Sequence, residues 1–383
     1  MDKNGFNANA TGTLIPTIGG RKAFVPNPLP PATIDVARFL PELTRATQAV
    51  GELKGIGRSV PNPLLLIRPL QRREAVSSSG MEGTYTTLTD LFLFEAGASE
   101  AATRGDNREV LNYVRALEGA IDGLASLPIS TRLIRDAHRV LLTGVARNRG
   151  AAVDAGELKR DQNWIGGGGR IDSARFIPAP PTETPRALDT LMGFVNREER
   201  PAPLIDAALA HYQFEAIHPF ADGNGRVGRM LITLMLIDNG TLPMPLLYMS
   251  PYLERHKDRY IDLMYAVSRD GAWEEWIAFF LNAVAESAAE TIAVVERLQD
   301  LQRDYRGRFQ TARRSALMLR IVDLAFERPV RSITDFAEAL GVSYQGAANN
   351  INELIAQGVA EEVGGTYPKL IRFPGVLEAL QVG

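Results

Sequence analysis

The chain has 383 residues, with 42 Lys and Arg set against 45 Asp and Glu, a net charge of −3 and a pI near 6.0. So even a balance offers no global attraction to nucleic acid or to an acidic membrane surface. With no cysteine, neither disulfides nor thiolate chemistry are open to it, and at this length it exceeds one typical domain and can bury a sizeable core.

The first residues, Met1 to Gly20, mix Asn, Thr and Gly without the charged-then-apolar pattern of a leader. Residues 1–31 read as an irregular tail that ends in Pro26-Asn27-Pro28-Leu29-Pro30-Pro31. No apolar run approaches the ~20 residues a membrane helix needs, and the absence of cysteine fits a reducing compartment. A cytoplasmic protein without membrane association is therefore expected.

Residues 32–116 read as a mostly helical region. One helix is expected over about 69–83, starting near Pro69 because proline is tolerated in a first turn. Leu70, Arg73, Ala75 and Val76 give it an amphipathic face, and Gly83 suits a left-handed stop. Glu82 then stands in the last turn, where the helix dipole disfavours an anion, so it needs a cation from elsewhere.

The next region, 117–311, holds the chemistry. Gly156-Glu157-Leu158-Lys159-Arg160-Asp161-Gln162-Asn163-Trp164-Ile165 leads into four glycines, Gly166 to Gly169, and Arg170 to Pro178 reads as extended. Two extended pieces around a glycine cluster predict a hairpin over about 163–178. Leu204 to Ile217 predicts a helix, with Leu204, Ala208, His211, Tyr212, Glu215 and Ala216 at three- and four-residue spacings. Pro219 cannot continue it, so His218 ends the helix and points into a loop.

The run His218-Pro219-Phe220-Ala221-Asp222-Gly223-Asn224-Gly225-Arg226-Val227-Gly228-Arg229 follows. A glycine-rich turn feeding a helix start aims free backbone N–H groups at one point, which attracts phosphate. Arg226 and Arg229, three apart, share a face and can fork onto phosphate oxygens. Asp222 offers one carboxylate beside them, the usual way Mg2+ is held between protein and nucleotide. The group describes a site for phosphoryl or nucleotidyl transfer. No Walker-type or kinase-type run competes with it, and His138 and His211 read as core or supporting residues, without the spacing of a metal site.

This run resembles the signature of the Fic (filamentation induced by cAMP) family, His-Pro-Phe-x-(Asp/Glu)-Gly-Asn-Gly-Arg-x-x-Arg, and meets every specified position. The resemblance implies a mainly α fold, a Fic helical core with a β-hairpin flap, and an enzyme that transfers AMP from ATP to a hydroxyl of a target protein. It implies His218 as general base, Gly223, Asn224, Gly225, Arg226 and Arg229 as phosphate-binding residues, and Asp222 as the Mg2+ ligand. Ser78, Glu82 and Gly83 resemble the family's inhibitory motif, (Ser/Thr)-x-x-x-Glu-(Gly/Asn), whose glutamate pairs with the second motif arginine, here Arg229. Residues 163–178 resemble its flap, although Gly-Glu-Leu-Lys stands where Gly-Glu-Phe-Arg is more usual. Tyr260 falls in the region that packs near the adenine, but Ile261 follows it where the family often has a second tyrosine.

Residues 312–383 read as a separate module: helices over Ser315 to Phe326, from a Thr334 cap to Leu340, and over Tyr344 to Gln357, then a two-stranded wing within Glu361 to Phe373. The order resembles a winged helix-turn-helix. Its seven cations and eight acids net −1, so it lacks the cationic footprint of strong DNA binding. The expected function is a self-inhibited protein adenylyltransferase. Its partners are expected to be a target protein with a Ser, Thr or Tyr hydroxyl and, by self-modification or as a homodimer, the chain itself. The alternatives are a DNA-binding regulator whose core senses nucleotide, or an enzyme that removes AMP or uses another nucleotide.

Overall fold

The computed structural model describes residues 6–32, 34–59, 64–99, 106–145, 154–310 and 316–381. The fold is mainly helical, as expected. The tail is not irregular: β1 (Gly12–Pro16) and β2 (Lys22–Pro26) pair antiparallel, with Leu14 opposite Phe24. Tertiary contacts decide this, because Phe24 is fully buried between Phe6 and Phe176 and its N–H donates to the Ile177 carbonyl at 2.8 Å. Prolines sit only at the strand ends, where no ladder bond is lost.

The helices α1 (Leu40–Ser59), α2 (Leu64–Gly80), α3 (Leu88–Glu95), α4 (Asn107–Gly123) and α5 (Thr131–Leu141) precede the flap segment. α2 starts at Leu64 rather than near Pro69, which lies inside it. One lost backbone bond is tolerated because Ile67 and Leu70, on either side, are buried. Its end is a Schellman motif: Gly83 has φ 80°, its N–H reaches the Gly80 carbonyl at 3.0 Å, and Thr84 N–H reaches Ser79 at 3.0 Å. Glu82 therefore sits at the helix C-cap with its backbone fixed. A boundary at 116/117 fails, since α4 runs unbroken to Gly123 and keeps one apolar face through Val110, Val114 and Leu117. The family-like core begins with no break in the chain there.

After the flap come α6 (Thr184–Val195), α7 (Pro203–Ile217), α8 (Asn224–Asp238), α9 (Ser250–Arg255), α10 (Lys257–Asp270) and α11 (Trp273–Phe309). α7 and α8 are buried on nearly every side, and the polar and charged groups they carry go inside with them. They pack on each other, and α8 also touches α2, α4 and α5. One α11 window of 18 residues has mean hydropathy 1.4, long and apolar enough to cross a membrane, where no such run was expected. Within the fold 61% of that window is buried, and α1 packs along the helix, so the apolarity serves the protein core.

The C-terminal elements are α12 (Ala316–Glu327), β3 (Val330–Ser332), α13 (Ile333–Leu340), α14 (Tyr344–Ala356), β4 (Glu361–Val363), β5 (Leu370–Arg372) and α15 (Pro374–Leu380). The expected boundary at 311/312 lies outside the described residues. The sheet has three strands in the order β3-β5-β4, not two, with Val330 opposite Arg372. The cap of α13 is Ser332, whose hydroxyl accepts from Asp335 N–H at 3.0 Å, rather than Thr334. These elements share one apolar cluster with Leu70 of α2, Phe92 of α3 and Leu298 of α11. By packing, the module continues the body of the protein.

Candidate active site at the α7–α8 loop

α7 stops at Ile217 because Pro219 has no N–H to continue it. His218 takes the left-handed conformation, φ 50° and ψ 62°, the one non-glycine residue with positive φ among the described residues. Such a backbone costs on the order of 1–3 kcal/mol and persists only where its surroundings hold it. Gly223, φ 79°, starts α8. Asn224, expected on a phosphate, instead uses its amide to close the loop: Oδ1 accepts from Phe220 N–H at 2.8 Å and Nδ2 donates to the Phe220 carbonyl at 2.7 Å.

Both motif arginines are buried, yet their partners differ. Arg226 forms an ion pair with Glu109 of α4 and lies 3.6 Å from Asp222 Oδ1. Its Nε has no partner among the described residues. Arg229 donates from Nε to Ser78 Oγ and from Nη2 to the Ser78 carbonyl and Glu82 Oε1, each at 2.8 Å. Burial pushes the Glu82 carboxyl up, but the Arg229 charge and hydrogen bond outweigh it and hold it below its ordinary value. Arg229 is raised in turn: burial opposes its charge, and Glu82 more than compensates. A Cβ on Gly225 would collide with the Glu82 carboxylate and with Arg229, so glycine is what lets the two meet at the start of α8.

Burial and the nearby Lys159 charge lower His218 to about 4, against the opposing pull of Glu82. Its imidazole is therefore neutral at neutral pH and able to accept a proton. Its Nδ1 has no hydrogen-bond partner among the described residues, with Glu215 Oε2 3.8 Å away. Glu215 itself was read from sequence only as one residue of a helical spacing. Burial raises it to about 8, with Arg229 opposing and Glu82 adding, and its Oε1 has no hydrogen-bond partner among the described residues. Its only local mark is a place one turn before His218.

His138 and His211 support the loop. Gly156 N–H donates to His138 Nδ1 at 2.9 Å, so Nε2 carries the proton and donates to the Asp222 carbonyl at 3.0 Å. His211 Nδ1 donates to the Gly228 carbonyl at 3.0 Å, and Nε2 accepts from the Tyr260 hydroxyl at 2.7 Å. Burial lowers His138 to about 4 and His211 to about 3, which keeps both neutral and fixes these roles.

A cleft of about 170 Å³ opens over these groups. Glu82, Glu215, His218 and Arg229 form its polar end, and Tyr260, Met264, Tyr265 and Phe176 line the rest. The flap is shorter than the expected hairpin: Ile165 and Phe176 make a single bridge, and Ile171–Ser173 is a 3-10 turn. Gly166 to Gly169 all have positive φ, a run that leaves no room for strand pairing. Asp222 is 44% exposed, and its Oδ1 accepts from Gly223 N–H at 2.6 Å. No cluster of three metal-ligating side chains occurs among the described residues.

Residues 40–122 match the model described as Fic/DOC family N-terminal, and residues 128–236 match that of the Fic/DOC family. A probable protein adenylyltransferase of Aquifex aeolicus is 34% identical over 94 residues, 24% of this chain and 27% of its own length. The protein adenylyltransferase Fic of Culex quinquefasciatus is 30% identical over 211 residues, 54% of this chain and 38% of its own. The chain thus spans well under half the length of these relatives. Among solved structures, a Fic family protein of Desulfovibrio desulfuricans superimposes with a TM-score of 0.55 at 21% identity, covering 90% of this chain and 98% of that one. Fic-1 of C. elegans does so with 0.52 at 18% identity, covering 68% and 75%.

Proposed function

For a chain that belongs to the Fic/DOC family, we propose a protein adenylyltransferase that moves AMP from ATP to a Ser, Thr or Tyr hydroxyl and is held off by Glu82. The observation that carries the reading is the Arg229–Glu82–Ser78 cluster, 2.8 Å at each contact, at the N-terminus of α8 and in one cleft with the neutral His218.

His218 takes the proton of the target hydroxyl as its oxygen bonds to the α-phosphorus. The bond from that phosphorus to pyrophosphate breaks, and the leaving group takes the electron pair. A positioned base of this kind contributes roughly 10²–10⁴ in rate. The α8 N-terminus and the Gly223–Gly225 backbone cradle phosphate, and Arg226, held by Glu109, neutralises charge on the departing pyrophosphate. Arg229 receives the γ-phosphate once Glu82 leaves it. Asp222 would hold Mg2+, which would supply positive charge against the phosphates. Tyr260 holds His211, which fixes the backbone carbonyl just before Arg229, and its ring lines the base end of the cleft. The flap pairs with an extended piece of the target.

The C-terminal elements fit a winged helix whose exposed Tyr344 and Tyr367 serve protein contact, since no cluster of cations flanks α14. The test incubates the Glu82→Gly protein with ATP labelled at the α- or the γ-phosphate and with lysate. Label is expected on protein from the α position only; label from the γ position means a kinase and overturns the reading.

A further inference from the structure

A helix interrupted by proline leaves its last carbonyls without N–H partners, and buried carbonyls need donors. Around His218 those donors come from two residues at the base of the flap. Lys159 Nζ donates to the Ile217 carbonyl at 3.1 Å, and Lys159 N–H donates to Pro219 at 2.9 Å. Asn163 Nδ2 donates to the carbonyls of His218 at 3.3 Å and Phe220 at 2.9 Å. Four consecutive carbonyls, 217 to 220, are thus held by one lysine and one asparagine. The pair is locked to itself as well: Lys159 Nζ donates to Asn163 Oδ1 at 2.8 Å, which turns the amide so that its N–H groups face the loop.

We propose that Lys159 and Asn163 are positioning residues that hold the left-handed backbone of His218, and so aim the catalytic base from the flap. Asn163 stands two residues before Ile165, which makes the flap bridge to Phe176. A displacement of the flap therefore passes to the base through one short segment. Lys159 is buried, Asn163 is half-buried, and neither lines the cleft, so they act through His218 and not on nucleotide. The charged and titratable groups that face His218 are Lys159, Glu82 and Glu215. Burial lowers Lys159 only to about 7, so it stays charged across the range in which His218 titrates.

The inference rests on His218 being the base, and its test separates the two. In the Glu82→Gly protein, Lys159→Met and Asn163→Ala are expected to lower kcat for AMP transfer about 10²-fold, the cost of misplacing a reacting group by about 1 Å. The KM for ATP stays within about twofold, because no phosphate contact is lost. Lys159→Arg, which keeps the charge and the donors, restores most of the rate. By NMR, the titration midpoint of the His218 imidazole moves up in Lys159→Met, as a neighbouring positive charge is gone. A purely structural role would lower Tm and leave the midpoint and the kcat–KM split unchanged, and that result overturns the proposal. Rate and affinity falling together in both variants overturn it too. If the Glu82→Gly parent labels nothing, the proposed activity fails, and the His218 midpoint in Lys159→Met still decides for or against the clamp.

Discussion

The α7–α8 loop and the β4–β5 wing of the C-terminal module treat their charged groups in opposite ways. Around the loop, Arg226, Arg229, Glu109 and Lys159 are buried, and Glu215 and His218 are forced toward neutrality. In the module, Arg372 pairs with Glu361 and Lys369 with Glu362 at side chains two-fifths exposed or more. Charge out of water is costly unless paired and bonded, whereas an exposed pair is nearly free. The first arrangement holds only while its charges stay paired and bonded; the second costs little.

The largest effect should come from the loop. His218→Ala removes the base, and AMP transfer by the Glu82→Gly protein should fall by about 10²–10⁴, measured as α-label on protein. Equal labelling would mean that the burial at this loop serves only the fold. Glu82→Gly should itself raise transfer. Breaking a charged hydrogen bond worth about 1.5–3 kcal/mol predicts roughly 10- to 100-fold, read as the ratio to the native chain under saturating ATP.

Glu215 sharpens the contrast through pH. Its folded value is raised to about 8, so the folded state keeps a proton that the unfolded state releases above its ordinary carboxylate value. Stability should fall as pH rises from about 4.5 to 8 and level off above, by on the order of a few kcal/mol. Glu215→Gln should flatten that slope in thermal melts across the window, relative to the native chain. The lowered His218, His138 and His211 run the other way, losing stability as pH falls below 6.5. Only the difference between the two proteins therefore isolates Glu215. The smallest effect belongs to the module: Glu361→Ala should change stability by less than about 0.5 kcal/mol at any of these pH values. A larger loss by denaturant titration would show that the wing is coupled to the body more tightly than its exposed pairs imply.

Short-range chemistry made much of the molecule legible. Proline after His218, glycine at 223 and the apolar periodicity on both sides place the loop between two helices, and Gly83 marks the Schellman end of α2. Residues that act locally leave local marks. The misses have the opposite character. The β1–β2 hairpin forms because Phe24 finds a slot beside Phe176, more than a hundred residues away, and α2 tolerates Pro69 because neighbours bury it. Glu215 looked like one more helical residue, since nothing in its local sequence states that it will be desolvated beside Arg229 and Glu82.

The sequence by itself determined the helical class, the family and the set of groups at the loop, because turn chemistry and helix periodicity act within a few residues. The tertiary structure alone decided that Glu109 meets Arg226, whereas Glu82 and Ser78 lie on Arg229 as the motif resemblance implied for the glutamate. It also decided that Lys159 and Asn163 hold the base and that the C-terminal elements share a core with α2 and α11. These pairings join residues up to 151 positions apart, and the free energy that selects them is the desolvation of buried charge, which exists only after the chain has closed around it.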